Sequence, residues 1–144
     1  LMRPSATAAH NLAKRWRLSN GDHERLAAML SPPAPIGTKL DRRGLRQELY
    51  AHGAERVIDW LLLAWCGQPD NGDGFRAMIQ DAKHWQPITL PVKGADALAL
   101  GIPVGPDIGT ILRTVERWWI DANFAPTRGE CLDKLRAVAA AHRA

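Results

Sequence analysis

Three cations and a run of glycines and prolines are the residues of this chain whose types and spacing bear most directly on chemistry. Lys93 precedes the segment Gly94 to Gly109, and Arg113 and Arg117 follow it four residues apart. Positive charges beside the free N–H groups of a helix start suit the phosphates of a polyanion. Asp107 opposes a phosphate at that same helix start, so the charge balance there is mixed. Lys39, Arg42, Arg43 and Arg46 crowd a second short segment against Asp41 alone, and Lys14, Arg15 and Arg17 crowd a third. The spacing of the second group spreads it around a helix, so its members do not all face one strand. Six Trp against one Tyr supply rings able to stack on unpaired bases. Trp16, Trp60, Trp65, Trp85 and Trp119 fall near apolar stripes and are expected in the core, whereas Trp118 is expected to be exposed.

Enzymatic chemistry finds little to work with. Ser5, Ser19 and Ser31 are the only serines, each at an expected helix boundary, so no nucleophile triad is indicated. Neither Cys66 nor Cys131 lies in a C-x-x-C or near a His at ligand spacing, which argues against zinc. Cys66, between Trp65 and Gly67, is read as a small core residue. Asp70 and Asp73 invite comparison with a calcium loop. That loop needs oxygen ligands where this chain has Gly72 and Gly74, and a glycine where it has Phe75. A solvated turn leading into a helix is the expectation, and no metal site is assigned.

The elements that must position the cations are all helical. Gly94 opens a short helix with Asp96 in its first turn, favourable to the macrodipole. Leu98, Leu100 and Ile102 give that helix an apolar side. Gly101 can adopt the left-handed conformation that ends it, and Pro103 prevents continuation. Gly105 then precedes Pro106, which suits the first position of the next helix. Gly109 removes a side chain from that helix's first turn, where another backbone could approach. The combination predicts a helix–hairpin–helix across residues 91–112. Gly101, Gly105 and Gly109 are open to two roles: serving a phosphate contact, or letting two helices pack closely.

Around it the apolar positions recur at helical period. Ala9, Leu12, Ala13 and Trp16 mark a first helix after Ser5 as cap, and Ser19 with Asp22 caps a second carrying Leu26, Met29 and Leu30. Pro32, Pro33 and Pro35 stop it and form the expected hinge. Leu45 and Leu49 mark a third helix ended by Gly53. Val57, Ile58, Leu61, Leu62 and Trp65 mark a fourth, expected to be the most buried. After the turn Gln68 to Gly74 come Phe75, Met78, Ile79, Ala82 and Trp85, closed by Pro87. Ile108, Ile111, Leu112, Val115 and Trp119 face inward from the helix that starts at Pro106. Thr127 and Glu130 form a capping box before Leu132, Leu135 and Val138. No segment alternates at period two. The expected fold is all-α, a helical bundle of about seven to eight helices.

The run G-x-D-x-L-x-x-G-I-P-x-G-P-x-I-G-x-I-L from Gly94, followed by Glu116-Arg117-Trp118-Trp119, resembles the C-terminal part of bacterial class II tRNA nucleotidyltransferases. That family includes the CCA-adding enzymes and the related poly(A) polymerases. Leu12-Ala13-Lys14-Arg15-Trp16-Arg17-Leu18-Ser19-Asn20 is similar to the start of the same region, so the two matches bracket most of the chain. The resemblance implies an RNA-holding role, in which body and tail bind the acceptor stem and elbow of tRNA. Head and neck would select and join nucleotides. The head's Gly-Ser loop and paired Asp, which hold a nucleoside triphosphate and Mg²⁺, have no counterpart here. This chain is therefore expected to be inactive alone and to need no cofactor of its own. Its partners would be tRNA or other RNA and the head and neck of the parent protein.

Length and composition agree with such a role without demanding it. At 144 residues the chain makes one ordinary domain or two small ones, burying roughly two-thirds of its unfolded surface. The expected division is a first helical pair over 1–31, a proline-rich linker over 32–40 and a helical tail over 41–144. Net charge is +4 and the isoelectric point near 9.5, mildly favouring polyanions. No apolar run approaches the ~20 residues of a membrane span, no stretch reads as a signal peptide, and two Cys suggest a reducing compartment, so a cytoplasmic protein is expected. Leu1 in place of an initiator Met fits a piece of a longer chain. The rival from another class is a helical interaction or dimerisation module, with no RNA contact, whose Trp-rich faces form an interface. A stand-alone DNA-binding hairpin is a third possibility, though Gly101 and Gly105 lie further apart than the Gly-h-Gly of such hairpins.

Overall fold

A computed structural model describes residues 6–32 and 40–143. They form eight α-helices and, among the described residues, no strand. The fold is all-α, with a helix count inside the expected range. Ser5, Lys39 and the central part of the proline passage, residues 33–39, lie outside the described residues. Two compact units divide the chain, Leu1–Pro87 and Ile88–Ala144.

The first unit holds α1 (Ala6–Arg15), α2 (Asn20–Met29), α3 (Arg42–His52), α4 (Ala54–Gly67) and α5 (Gly72–Lys83), with a 3₁₀ turn at Pro69–Asn71. The first helical pair thus belongs to the same unit as α3–α5, and α2 packs on α4. The core joins Leu45 and Leu49 of α3, Val57, Trp60 and Leu61 of α4, and Phe75, Ile79 and Ala82 of α5. Ser19 caps α2 by accepting the Asp22 N–H at 3.2 Å, and Asp41 caps α3 by accepting the Gly44 N–H at 2.7 Å.

The stripe on α4 is rotated from its expected position. Leu62 and Leu63 are exposed and Trp65 half-buried, whereas Asp59 and Trp60 are buried. Polar bonds explain the rotation. The Trp60 indole donates to the Ala28 carbonyl at 2.8 Å, and Asp59 takes both of its bonds from Arg25. The turn after Gly67 is shorter than expected, because α5 already starts at Gly72.

The second unit holds α6 (Gly94–Ala99), α7 (Pro106–Asp121) and α8 (Arg128–Arg143). Ile111, Val115 and Trp119 of α7 are buried as expected. On α8 the buried positions are Cys131, Leu135 and Ala139, spaced four apart, while Leu132 and Val138 are half-buried. Thr127 and Glu130 form their capping box: the Thr127 N–H donates to Oε2 at 2.7 Å and the Glu130 N–H to Oγ1 at 3.4 Å. The places expected for Cys66 and for two tryptophans are corrected here. Cys66 is exposed and Cys131 buried. Trp118 is half-buried with the Lys134 ammonium 5.5 Å from its ring centre, and Trp16, expected in the core, is 64% exposed.

Candidate nucleic-acid interface

The hairpin in the second unit is built from bonds that the motif foreshadows. At its start the Lys93 N–H donates to Asp96 Oδ2 at 2.7 Å, and Arg128 of α8 grips the same carboxylate, Nη2 to Oδ1, at 2.6 Å. The Lys93 N–H first, and then Arg128, hold the Asp96 carboxyl below the usual carboxylate range. Arg128 also donates to the Pro91 carbonyl, so one guanidinium ties α8 to the entry of α6. At its other end α6 closes on Gly101, whose φ of 75° is left-handed. The Gly101 N–H reaches the Leu98 carbonyl and the Ile102 N–H the Ala97 carbonyl, satisfying two orphan acceptors. Ile102 and Ala97 are both buried, the apolar contact that accompanies this ending.

The connecting turn is uncharged. Pro103, Val104, Gly105 and Pro106 are all exposed, Val104 at 87%. Gly105 is extended and Pro106 begins α7. Close helix packing does not explain these glycines. A side chain on Gly101 or Gly105 would meet no described atom within 4 Å, and one on Gly109 would meet only Arg113 Nη1, at 4.0 Å. The space at Gly109 is used by that arginine, which lies back along the first turn of α7 and donates to Thr110 Oγ1 at 3.3 Å. A side chain on Gly94 would reach Ile108 of the same turn, 3.9 Å from its Cγ2. The start of α6 and the Arg113 guanidinium therefore border one end of α7.

Lys93, Arg113 and Arg117 are exposed and, among the described residues, none of them is in an ion pair. Their donors are available to an external anion. Asp107, exposed at the start of α7, lies 3.3 Å from the His142 imidazole, which offsets part of its charge when protonated. The second basic segment is less coherent. Arg42 lies 3.5 Å from Asp81, Arg46 is half-buried, and Arg43 stands roughly 100° round α3 from Arg42. Arg43 and Arg46 both have partners within the chain.

Two charged ties had no signal in the sequence. Arg128 sits unremarked behind the Thr127 cap, and its reach to Asp96 joins positions 32 apart. Arg25 of α2 makes a two-pronged bond to Asp59 of α4 at 2.7 and 2.8 Å and pairs with Glu55 at 2.8 Å. Bonding to Asp59, and then its charge, raises the Arg25 pKa further. Asp59 lies off the apolar stripe that spacing marks on α4, and it faces inward because the helix is rotated from that expectation. A polar cleft of about 280 Å³ runs beside this tie, lined by Glu24, Arg25, Glu55 and Arg56 among others. Asp73, one of the two acids of the calcium-like turn, pairs with Arg76 at 3.1 Å. Among the described residues no group of three or more His, Cys, Asp or Glu could hold a metal ion, and no helix is long and apolar enough to cross a membrane.

No family model matches the chain. A curated protein of Rhodospirillum rubrum, described as an uncharacterized 28 kDa protein in the petA 5′ region, is 36% identical over 77 residues, covering 48% of this chain. The matched part spans 30% of that relative's length. No solved structure matches significantly. None of these comparisons connects the chain with a nucleotidyltransferase.

Proposed function

We propose that this chain is an RNA-holding region similar to the C-terminal part of tRNA nucleotidyltransferases and poly(A) polymerases. It would grip the acceptor stem and elbow of tRNA while a head domain adds nucleotides to the 3′ end. The observation that carries the proposal is the hairpin of α6 and α7. Its uncharged turn can approach a sugar–phosphate backbone, and Lys93, Arg113 and Arg117 stand exposed in the same unit, none of them in an ion pair among the described residues. Such a grip reads duplex shape and phosphate, not base sequence. The chemistry belongs to the head. The chain has no Gly-Ser dipeptide and, among the described residues, no strand to carry paired Asp, so Mg²⁺ and nucleoside triphosphate have no seat here and no catalytic step is assigned. The contribution to rate would be positional, keeping the 3′ end in place.

Filter binding of tRNA over a range of salt concentrations tests this. The logarithm of the affinity should fall linearly with the logarithm of salt concentration. Replacing Lys93, Arg113 or Arg117 by Ala should each reduce the slope by about one. A salt-independent affinity, or a triple variant that binds like the parent, overturns the proposal. A second reading, the protein-interaction module, is favoured by the adjacent exposed Leu62 and Leu63 of α4. It predicts concentration-dependent self-association or partner capture that Leu62→Ser with Leu63→Ser abolishes, and no retention of tRNA.

A further inference from the structure

Three helices of this chain end in the same way. In each, one N–H reaches back three residues and the next N–H reaches back five, with the first donor residue left-handed. At the end of α6 that residue is Gly101, φ 75°, and at the end of α7 it is Asn123, φ 56°. Glycine and asparagine are the residues that tolerate the conformation. At the end of α1 it is Arg17, φ 52°, with the Arg17 N–H bonded to the Lys14 carbonyl and the Leu18 N–H to the Ala13 carbonyl. An arginine there is strained where a glycine would not be. The residue before it, Trp16, is 64% exposed, although apolar spacing assigns it to the core. Lys14, Arg15 and Arg17 are exposed too, none is in an ion pair among the described residues, and no Asp or Glu precedes Asp22 in the chain. Four consecutive residues thus present one aromatic face and three unneutralised cations.

We infer that Lys14-Arg15-Trp16-Arg17 is a seat for an unpaired RNA nucleotide, its base stacked on Trp16 and its neighbouring phosphates held by the three cations. An indole face accepts any base, and phosphates complement the flanking charge. An anionic membrane surface is the weaker fit. A ten-residue helix that exposes Leu12 and is followed by the exposed Trp16 has little to insert. The inference rests on the proposal that this chain holds RNA, and it adds a single-stranded contact, made by the first unit, to the duplex contacts of the hairpin.

Fluorescence anisotropy on the full 144-residue chain, with a labelled short oligoadenylate and a blunt RNA duplex of equal phosphate count, tests it. Trp16→Ala should weaken the oligoadenylate roughly five- to hundredfold while changing the duplex less than about twofold. Trp16→Phe, which keeps an aromatic face, should restore most of the loss. Arg17→Gly should weaken RNA binding while raising the melting temperature, because it removes the charge and the backbone strain together. A structural role for either residue predicts the opposite pairing of stability and affinity. Equal losses on both RNAs, no loss on either, or a Phe variant as poor as Ala overturns the inference. So does binding to anionic vesicles that depends on Trp16 when oligoadenylate binding does not. If tRNA is held in a salt-sensitive way and Trp16→Ala changes nothing, this seat alone falls. If the parent chain binds neither tRNA nor oligoadenylate, the broader proposal falls with it.

Discussion

A single arginine carries the charged tie between α2 and α4. Arg25 is about half exposed, whereas Asp59, which it holds, is 5% exposed. Removing the guanidinium strands a carboxylate away from water, so Arg25→Ala should lower stability, by an amount moderated by the solvent that reaches the gap. Urea titration would register this as a lower midpoint; a midpoint that does not move means the tie is only incidental to the packing. Asp59→Leu should cost less than Arg25→Ala, since the partner it leaves behind is exposed and still has Glu55. Neither residue announced itself in the sequence. Periodicity marks which positions face inward on average, and Asp59 lies off the stripe it marks on α4, brought inward only by the rotation of that helix. Trp16 errs in the other direction: its spacing from Ala9 and Leu12 is right for a core residue, but α1 ends at Arg15 and Ala13 is its one buried position among those described.

At the level of elements, the hairpin gives glycines with different jobs that one substitution each can separate. Gly101 is held at φ 75° with open space around it, so Gly101→Ala meets no steric obstacle and pays only in backbone strain, about 1 kcal/mol. Gly105 is extended with equally open surroundings, and Gly105→Ala should shift thermal unfolding little. Equal effects at the two positions would contradict the assignment of the left-handed turn to Gly101. This stretch was the most legible part of the chain, because glycine and proline act on the backbone through local sterics that need no tertiary partner. Cap boxes read equally well for the same reason, as Ser19–Asp22 and Thr127–Glu130 show. The rotation of α4 was not legible. It is set by Trp60 and Asp59 bonding across to α2, more than thirty positions away in each case.

For the molecule as a whole, acid should act first on the second unit. Asp96 and Glu130 both have carboxyls held below their usual range, Asp96 by the Lys93 N–H and Arg128, Glu130 by the Thr127 N–H and hydroxyl. A depressed value means the unfolded chain takes up protons first. The stabilisation is therefore complete above the ordinary carboxylate range, near pH 4, and is lost as pH falls through the lower folded values. Asp96→Asn should flatten that dependence, read as Trp fluorescence against pH; an unchanged profile would show that the carboxylate is not the group responsible. The division into two units at Pro87 was not visible beforehand. Prolines at 32, 33 and 35 signalled a hinge by composition; α2, before them, packs on α4, after them, within the first unit. The contrast between the two thiols has a practical use. Cys131 is buried and its thiol pushed up, chiefly by that burial, while Cys66 at the end of α4 is open to solvent. A maleimide dye added to the unaltered protein will attach once, at Cys66, and so supply an optical reporter for the first unit without any engineering.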